Sequence, residues 1–361
     1  MRKILLLTSH PLEGRDGADK QLATSVARGM TDTEFTWFSR APSVSERALS
    51  AGRRIRVLSR QGVPGASERL QIAVRGTYLE PRHDLVHAIL TIGPGFARYA
   101  RLRGRVPVQL RRPVIHTVPG IAAPHLLEGA QPLGRTVALS QATADRLQHA
   151  GFGNVAVIPP GVELDRWPAS PRPGGNISTV LFAGHHDPGG GATESVLAAA
   201  KAQRRGHRLR MIFAMRPRIG QDSATEDGRL RAFAASHGLE DVVVHGRVDD
   251  LPALVRAADI LLFPPLQLHG KADVPLTVLE AMATRRPVIV SDLPEFAALG
   301  EAVLRTPVGD TTELGARLGM LLGMPKRWDE LAEAGRRLVE ERFSDRSMAA
   351  AYRRLYDEIL G

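Results

Sequence analysis

The segment GKADVPLTVLEAMATRRPVIVSD, residues 270–292, contains one helix and one strand in close succession. Apolar residues recur at helical spacing over residues 277–283, and the helix ends before Pro287, which cannot continue it. The apolar run 288–290 has the composition of a strand buried on both faces. A helix that leads directly into such a strand is typical of an α/β protein with a parallel sheet.

The start of this helix has the features of an anion-binding site. Asp273 is expected to be a capping carboxylate, and Pro275 suits the first helical turn. The backbone N–H groups of Leu276 and Thr277 would then project from the helix N-terminus toward a phosphate. Asp273 and Glu280 are seven residues apart, which predicts nearly the same helix face, about 10 Å apart. Glu280 could accept hydrogen bonds from ribose hydroxyls. The open alternative is that Asp273 only caps the helix and that Glu280 is only a helix residue with a partner inside the protein.

The same alternation of strands and helices extends along both halves of the chain, which predicts parallel sheets with right-handed crossovers. Strands are predicted at residues 4–7, 86–92, 114–117, 136–139, 155–158, 179–183, 209–214, 242–245, 260–263, 288–290 and 302–305. Helices are predicted at residues 19–29, 193–204, 230–237, 251–257, 277–283, 311–322 and 347–360.

A proline- and glycine-rich stretch divides the chain. Residues 167–178 read WPASPRPGGNIS and have no apolar periodicity, which is typical of a linker. We therefore predict a doubly wound Rossmann-like domain over residues 1–166 and a second one over 179–345. Residues 346–361 would form a helix that crosses back to the first domain. Two such domains are expected to face a cleft at the carboxyl ends of their strands, where open α/β sheets bind ligands.

The composition narrows the class of protein. The 361 residues include no cysteine, which excludes disulfides, cysteine nucleophiles and Cys-ligated zinc. No apolar run reaches the length that spans a bilayer. The opening MRKILLL turns polar too soon for a signal peptide and is expected to be the first strand. A cytoplasmic location is the expectation from these features.

The charge is concentrated in the first half of the chain. Residues 1–165 carry 22 Lys and Arg against 13 Asp and Glu, a net charge of +9, whereas residues 166–361 carry 26 against 25, a net charge of +1. The first half is therefore expected to meet an anionic partner. Two basic stretches, 53–60 and 98–112, suit an anionic membrane at the inner face or an acidic acceptor. Solvated helix faces with arginine stems over apolar surface are the alternative. Nucleic acid is not expected, because aromatic residues for base stacking are few.

Residues 276–292 resemble the donor-binding helix of retaining GT-B-fold glycosyltransferases of family 4, the glycosyl transferases group 1. In that family a Glu-x7-Glu pattern accompanies an LEAMA…G.PVI.S run. Residues 4–29, 138–167, 182–184 and 242–265 resemble further segments of the family in the same order. The resemblance implies the GT-B fold and transfer of a sugar from a nucleoside-diphosphate sugar to an acceptor hydroxyl. It also implies retention of the anomeric configuration and no metal or other cofactor. The acceptor would be a sugar, a glycolipid or a natural product.

The resemblance also assigns roles by position. Glu280 matches the second glutamate, which binds the nucleotide ribose, and His116 matches a histidine that contacts the transferred sugar. Gly17 matches the loop that closes over the donor phosphate. Arg247 and Val248 match the turn that frames the nucleobase through its backbone.

The sequence departs from the family pattern where the diphosphate would be held. The first glutamate is replaced by Ala272, so that Asp273 is the expected substitute and would orient the sugar together with His116. His185 follows Gly184 where the family has arginine, and glycines occupy the position of the family's lysine. His185, His186 and Asp187 are not expected to bind metal, because adjacent histidine side chains point apart. The candidate replacement cations are Arg216, Arg218 and Lys271.

The sequence also allows two other functions. The loss of the usual cations fits a GT-B-fold epimerase or a pseudo-glycosyltransferase. It also fits a non-catalytic protein that binds a sugar nucleotide or a glycan.

Overall fold

The computed structural model describes residues 1–12, 17–40, 52–58, 66–105, 107, 109, 111–217, 221–269 and 272–361. The chain divides into two compact units. Unit 1 comprises Met1–Gly161, His269–Pro275 and Phe343–Gly361, and unit 2 comprises Val162–Leu268 and Leu276–Arg342. Each unit contains one parallel sheet with helices, which confirms the predicted class of two doubly wound α/β domains.

The described residues of unit 1 form seven strands and five α-helices. The strands are β1 (Arg2–Thr8), β2 (Thr33–Ser39), β3 (Gly52–Arg56), β4 (Leu85–Ile89), β5 (Val114–Val118), β6 (Arg135–Ala138) and β7 (Val155–Val157). The helices are α1 (Ala18–Arg28), α2 (Ala66–Leu79), α3 (Phe96–Gly104), α4 (Gln141–His149) and, at the end of the chain, α11 (Asp345–Leu360). The strand order is β3-β2-β1-β4-β5-β6-β7, and every pairing is parallel.

Strand β1 shows why this sheet is buried on both faces. Ile4 and Leu6 belong to one apolar cluster, which includes residues of α1 and α11. Leu5 and Leu7 belong to a second cluster on the other face, with Ile72 of α2. Alternation of side chains along the strand therefore supplies two cores from one uninterrupted apolar run.

The described residues of unit 2 form six strands and six α-helices. The strands are β8 (Ser178–His185), β9 (Leu209–Arg216), β10 (Val242–His245), β11 (Ile260–Phe263), β12 (Val288–Ser291) and β13 (Leu304–Thr306). The helices are α5 (Ala192–Arg204), α6 (Ser223–Ser236), α7 (Leu251–Ala257), α8 (Leu276–Ala283), α9 (Thr311–Gly323) and α10 (Pro325–Arg342). The strand order is β10-β9-β8-β11-β12-β13, and all pairings are parallel. Strands are added on one side of β8 and then, from β11 onward, on its other side.

Residues 167–172 are held against unit 2 by arginines. Arg336 donates to the carbonyl oxygen of Trp167 at 3.0 Å, and Arg286 donates to that of Pro171 at 2.8 Å. Arg172 in turn forms an ion pair of 3.5 Å with Asp259. The start of the proline-rich stretch therefore has fixed partners in this unit.

The two basic stretches do not form a single kind of surface. Residues 52–56 form β3, the edge strand of the sheet, rather than a helix face. In the second stretch Arg103 is buried and forms an ion pair of 2.6 Å with Glu80, which is also buried. The expectation of solvated helix faces is therefore wrong for residues 52–56, which form an edge strand, and for Arg103, which belongs to an internal ion pair.

None of the helices in the described ranges is both long and apolar enough to cross a membrane.

Candidate functional site

The carboxyl edge of the unit 2 sheet brings together most of the predicted donor-binding residues. Strands β10, β9 and β8 are neighbours, and all three run in the same direction, so their carboxyl ends share one edge. Gly184 and His185 end β8, and Arg216 ends β9. His185 and Arg216 are register partners, so two residues that are 31 positions apart in sequence lie side by side at the edge. This edge of an open α/β sheet is where ligands bind.

A glycine loop joins this edge to helix α5. Gly191 has φ of +101°, and a Cβ atom there would lie 2.8 Å from the carbonyl carbon and oxygen of Pro264. The loop is tied to the segment after β11 by the N–H of Leu266, which donates to the carbonyl oxygen of Gly189 at 2.8 Å. Helix α5 therefore begins at the same edge as His185, and its first N–H groups have no partners within the helix.

His186 is placed by residues that the sequence did not indicate. Its Nε2 lies 2.8 Å from Oδ1 of Asp227 on α6, and its carbonyl oxygen accepts from Nε2 of Gln221 at 2.9 Å. The side chains of His186 and Asp227 are both largely buried. Within the ranges that the structure describes, no group of three His, Asp or Glu is arranged to hold a metal ion.

Arg247 and Val248 follow β10 and precede the cap of α7. Arg231 donates to the carbonyl oxygen of Val244 at 2.9 Å and so fixes the end of β10. Asp250 then caps α7 by accepting from the N–H of Ala253 at 2.9 Å. The turn that contains Arg247 and Val248 is thus held at both ends, at the same edge as Arg216.

Helix α8 places Leu276, Thr277 and Glu280 as predicted within one helix. Leu276 and Thr277 are the first two residues of α8, and Glu280 lies one turn further along and is buried. Thr284 donates through Oγ1 to the carbonyl oxygen of Glu280 at 2.7 Å. Free N–H groups at the helix start and a carboxylate one turn away are therefore both available in unit 2.

Asp273 does not share a helix face with Glu280, so that prediction is wrong. The helix begins only at Leu276, and residues 269–275 group with unit 1. The N–H of Asp273 donates to the carbonyl oxygen of Pro119 at 3.1 Å, and its Oδ2 accepts from Oγ of Ser140 at 3.2 Å. The residue before a proline avoids helical backbone angles, which keeps the segment before Pro275 out of the helix.

His116 lies in the middle of β5 and is completely buried. Its Nε2 lies 2.9 Å from the carbonyl oxygen of Leu90, and its ring stacks on Phe96 with centroids 4.9 Å apart. Burial lowers the pKa of His116 to about 4, so the ring is neutral near pH 7. Because a carbonyl oxygen only accepts, Nε2 carries the hydrogen and Nδ1 is a bare acceptor. That Nδ1 is buried and has no hydrogen-bond partner.

Gly17 immediately precedes α1 and has φ of +157°. Other residues rarely adopt this backbone angle, so the position favours glycine. The loop residues 13–16, and the predicted cations Arg218 and Lys271, lie outside the residues that the structure describes.

The second half of the chain is similar to proteins of a known family. Residues 178–324 match the family described as Glycosyl transferases group 1. Over this range, from β8 to the end of α9, the chain is similar to glycosyl transferases of group 1. All the described candidate residues of unit 2 fall within the matched range, from Gly184 to Glu280.

Individual relatives and solved structures are also glycosyltransferases by name or similar in fold. The chain is 28% identical over 213 residues to an MMP alpha-(1->4)-mannosyltransferase of Mycolicibacterium hassiacum, which covers 56% of this chain and 48% of that protein. It is 28% identical over 325 residues to a D-inositol 3-phosphate glycosyltransferase of Acidothermus cellulolyticus, which covers 75% of this chain and 70% of that protein. The crystal structure of Anabaena Alr3699/HepE in complex with UDP-glucose is similar in fold, with a TM-score of 0.76 and 18% identity over 99% of this chain and 100% of that chain.

These comparisons confirm the fold expected from the resemblance. Both units of the chain have the fold of GT-B proteins, and the range that matches the group 1 family lies in unit 2 except for residues 269–275. The alignment spans only about half the length of the mannosyltransferase.

Proposed function

We propose that the protein is a glycosyltransferase that moves a sugar from a nucleoside-diphosphate sugar to an acceptor hydroxyl. The reaction would retain the anomeric configuration and require no metal ion or other cofactor. The observation that carries this proposal is the pairing of His185 with Arg216 at the sheet edge where the glycine loop leads into α5. The group 1 match supports it, and the similar Anabaena structure has UDP-glucose bound.

The diphosphate would be held by cations and backbone N–H groups rather than by metal. Arg216 supplies a permanent positive charge beside His185, and the start of α5 offers N–H groups at the same edge. Leu276 and Thr277 offer a second set at the start of α8. These groups would stabilise the charge that develops on the leaving phosphate as the glycosidic bond lengthens.

The nucleoside would be bound by Glu280 and by the turn after β10. The buried carboxylate of Glu280 would accept from the vicinal ribose hydroxyls, and Arg247 and Val248 would frame the base through their backbone. Gly17 and Lys271 are further candidates for donor binding, as the family resemblance implies.

The transferred sugar would be oriented by His116 and Asp273. Because the pKa of His116 is lowered to about 4, its ring would act as a hydrogen-bonding group and not as a cation. The unpartnered Nδ1 is a buried acceptor, which a sugar hydroxyl could satisfy. Asp273 would accept from a second hydroxyl in addition to Ser140.

The acceptor would be an anionic sugar, glycolipid or natural product. The net charge of +9 over residues 1–165 favours an acidic acceptor over a neutral or basic one. One relative is named for D-inositol 3-phosphate, a phosphorylated acceptor. Location in the cytoplasm is part of this proposal.

Nucleotide binding tests the donor site directly. Thermal unfolding of the full chain is measured with UDP, GDP, ADP and dTDP, and a ligand at about 100 times its Kd should add roughly 2.7 kcal/mol to stability. We expect one nucleotide to raise the midpoint, and Glu280→Gln to remove that shift. Glu301→Gln, which changes an exposed glutamate of the same unit, is the matched control. If no nucleotide shifts the midpoint, the donor proposal is refuted.

A second candidate function is donor binding without transfer. Ala272 stands where the family has a glutamate, and the neighbouring Asp273 already receives a hydrogen bond from Ser140. A protein with that change could bind a sugar nucleotide and leave it intact. Nucleotide-sugar binding without release of the nucleoside diphosphate, over a panel of anionic acceptors, would favour this candidate.

A further inference from the structure

Helix α2 of unit 1 is apolar on its outward side. Leu70, Val74 and Tyr78 follow one another at intervals of four residues, which places them on one helix face, and they are 61%, 53% and 69% exposed. The opposite face, with Ile72 and Gly76, is buried against the sheet. An ordinary surface helix shows the reverse pattern, with polar residues toward solvent.

Leu58 extends this face from the segment after β3. Its side chain is 67% exposed, although its backbone is held firmly. The N–H of Leu58 donates to Oε1 of Gln71 at 3.1 Å, and Nε2 of Gln71 donates back to the carbonyl oxygen of Leu58 at 2.6 Å. We call Leu58, Leu70, Val74 and Tyr78 the apolar stripe. After Met1 they are the most exposed large apolar side chains in the described part of the chain.

The charges around the apolar stripe are of one sign at the surface. The only carboxylates within the described residues of 52–82 are Glu68 and Glu80, and both are buried. Arg40 pairs with Glu68 at 2.7 Å and Arg103 pairs with Glu80 at 2.6 Å, so both negative charges are neutralised internally. Six exposed arginines remain on the same elements: Arg53, Arg54, Arg56, Arg69, Arg75 and Arg82.

Two contacts place Arg82 and Arg75 at the margin of the apolar stripe. The guanidinium carbon of Arg82 lies 4.7 Å from the ring centroid of Tyr78. Nη1 of Arg75 donates to the carbonyl oxygen of Arg56 at 2.5 Å and links α2 to the edge strand. The guanidinium groups of Arg75 and Arg82 thus border the apolar side chains.

We propose that the apolar stripe and its arginines dock unit 1 on an anionic lipid bilayer. Exposed leucine and tyrosine side chains enter the headgroup boundary, while arginines at their margin bind lipid phosphates. A second copy of this chain is a poor occupant, because a two-fold contact would place the same six arginines against each other. This inference does not depend on the transferase proposal, because it is tested by lipid binding alone.

The test is sedimentation of the full chain with vesicles. We expect binding to vesicles of phosphatidylcholine mixed with phosphatidylglycerol, little binding to phosphatidylcholine alone, and release at high salt. Each arginine close to the surface contributes a factor of about five, so Arg75→Gln with Arg82→Gln should weaken binding about twenty-five-fold. The triple change Leu70→Ser, Val74→Ser and Tyr78→Ser should weaken it at least about tenfold at unchanged charge.

A matched control removes exposed apolar residues elsewhere. Val157→Ser, Ile177→Ser and Met324→Ser should leave vesicle binding unchanged. The proposal is overturned if the wild-type protein binds both kinds of vesicle equally or neither. It is also overturned if the control and the stripe variant lose binding alike. Self-association in solution that the stripe variant abolishes, without vesicle binding, would assign the surface to a second copy instead.

Discussion

Nδ1 of His87 lies 2.7 Å from the hydroxyl oxygen of Tyr356, although 269 residues separate them. Nε2 of His87 continues the chain of hydrogen bonds to Oγ1 of Thr117 at 2.8 Å, and that oxygen lies 2.8 Å from the hydroxyl of Tyr352. All four side chains are buried. The last helix of the chain is therefore joined to strands β4 and β5 through a polar network inside an apolar core.

Removing the Tyr356 hydroxyl should loosen α11. Tyr356→Phe keeps the ring but leaves Nδ1 of His87 buried without a partner, which costs about 1–3 kcal/mol. Hydrogen exchange of the amides in Asp345–Leu360 measures this as a lower free energy of opening. Tyr78→Phe, which removes an exposed hydroxyl, should leave the exchange unchanged. Equal protection of α11 in wild type and Tyr356→Phe would show that the network contributes nothing.

Unit 1 should lose stability as the pH falls below about 6.5. Burial, with a smaller effect of the nearby His116, lowers the pKa of His87 to about 3, and burial lowers that of His116 to about 4. In the unfolded chain both titrate near 6.5. Between these values the unfolded state binds protons that the folded state does not, so acid favours unfolding.

The expected slope is about 1.4 kcal/mol per pH unit for each histidine well below its unfolded pKa. Urea unfolding at a series of pH values from about 7 to about 5 measures it. His125→Gln changes an exposed histidine and should keep the wild-type slope. A free energy of unfolding that is constant over this range would contradict the lowered pKa values.

The sequence predicted the strands of unit 2 and most of those of unit 1, because apolar runs bounded by turns are visible without tertiary context. It missed β2 and β3. The aromatic residues Phe35, Trp37 and Phe38 were a usable signal for β2, since aromatic residues favour strands. Strand β3 offered almost none, because an exposed edge strand with three arginines resembles a solvated segment. Helix α2 was hidden by its apolar outward face, which blurs the usual periodicity.

The candidate site was predictable where residues are close in sequence and not where they meet through folding. Leu276, Thr277 and Glu280 could be placed on one helix from their spacing alone. The bond from Asp273 to Ser140 joins residues 133 positions apart, so helical geometry could not anticipate it. The pairing of His186 with Asp227 likewise depends on where α6 packs, against β10 and α5.

Arg103 should be essential for the stability of unit 1, unlike its neighbours in the basic stretch. Its Nη2 donates to Oε1 of Glu80 at 2.6 Å, and the same Oε1 accepts from the N–H of Arg112 at 2.8 Å. Arg103→Gln leaves the buried carboxylate without its counter-ion, which costs about 3–5 kcal/mol. Arg101→Gln, on the exposed side of α3, should change stability by less than about 0.5 kcal/mol. Similar denaturation midpoints for the two variants would refute the internal role.

Gly191→Ala should damage both the fold and nucleotide binding in unit 2. The backbone at φ +101° costs an alanine about 1–2 kcal/mol, and the added Cβ would lie 2.8 Å from the backbone of Pro264. Gly206→Ala is a close control, because its φ of +92° imposes a similar strain but no atom lies within 4 Å of its Cβ. Thermal unfolding should show a larger loss for Gly191→Ala. Only Gly191→Ala should also lose the midpoint shift with nucleotide, because it alone displaces the loop that leads into α5. If both variants bind nucleotide normally, this loop has no part in holding the donor.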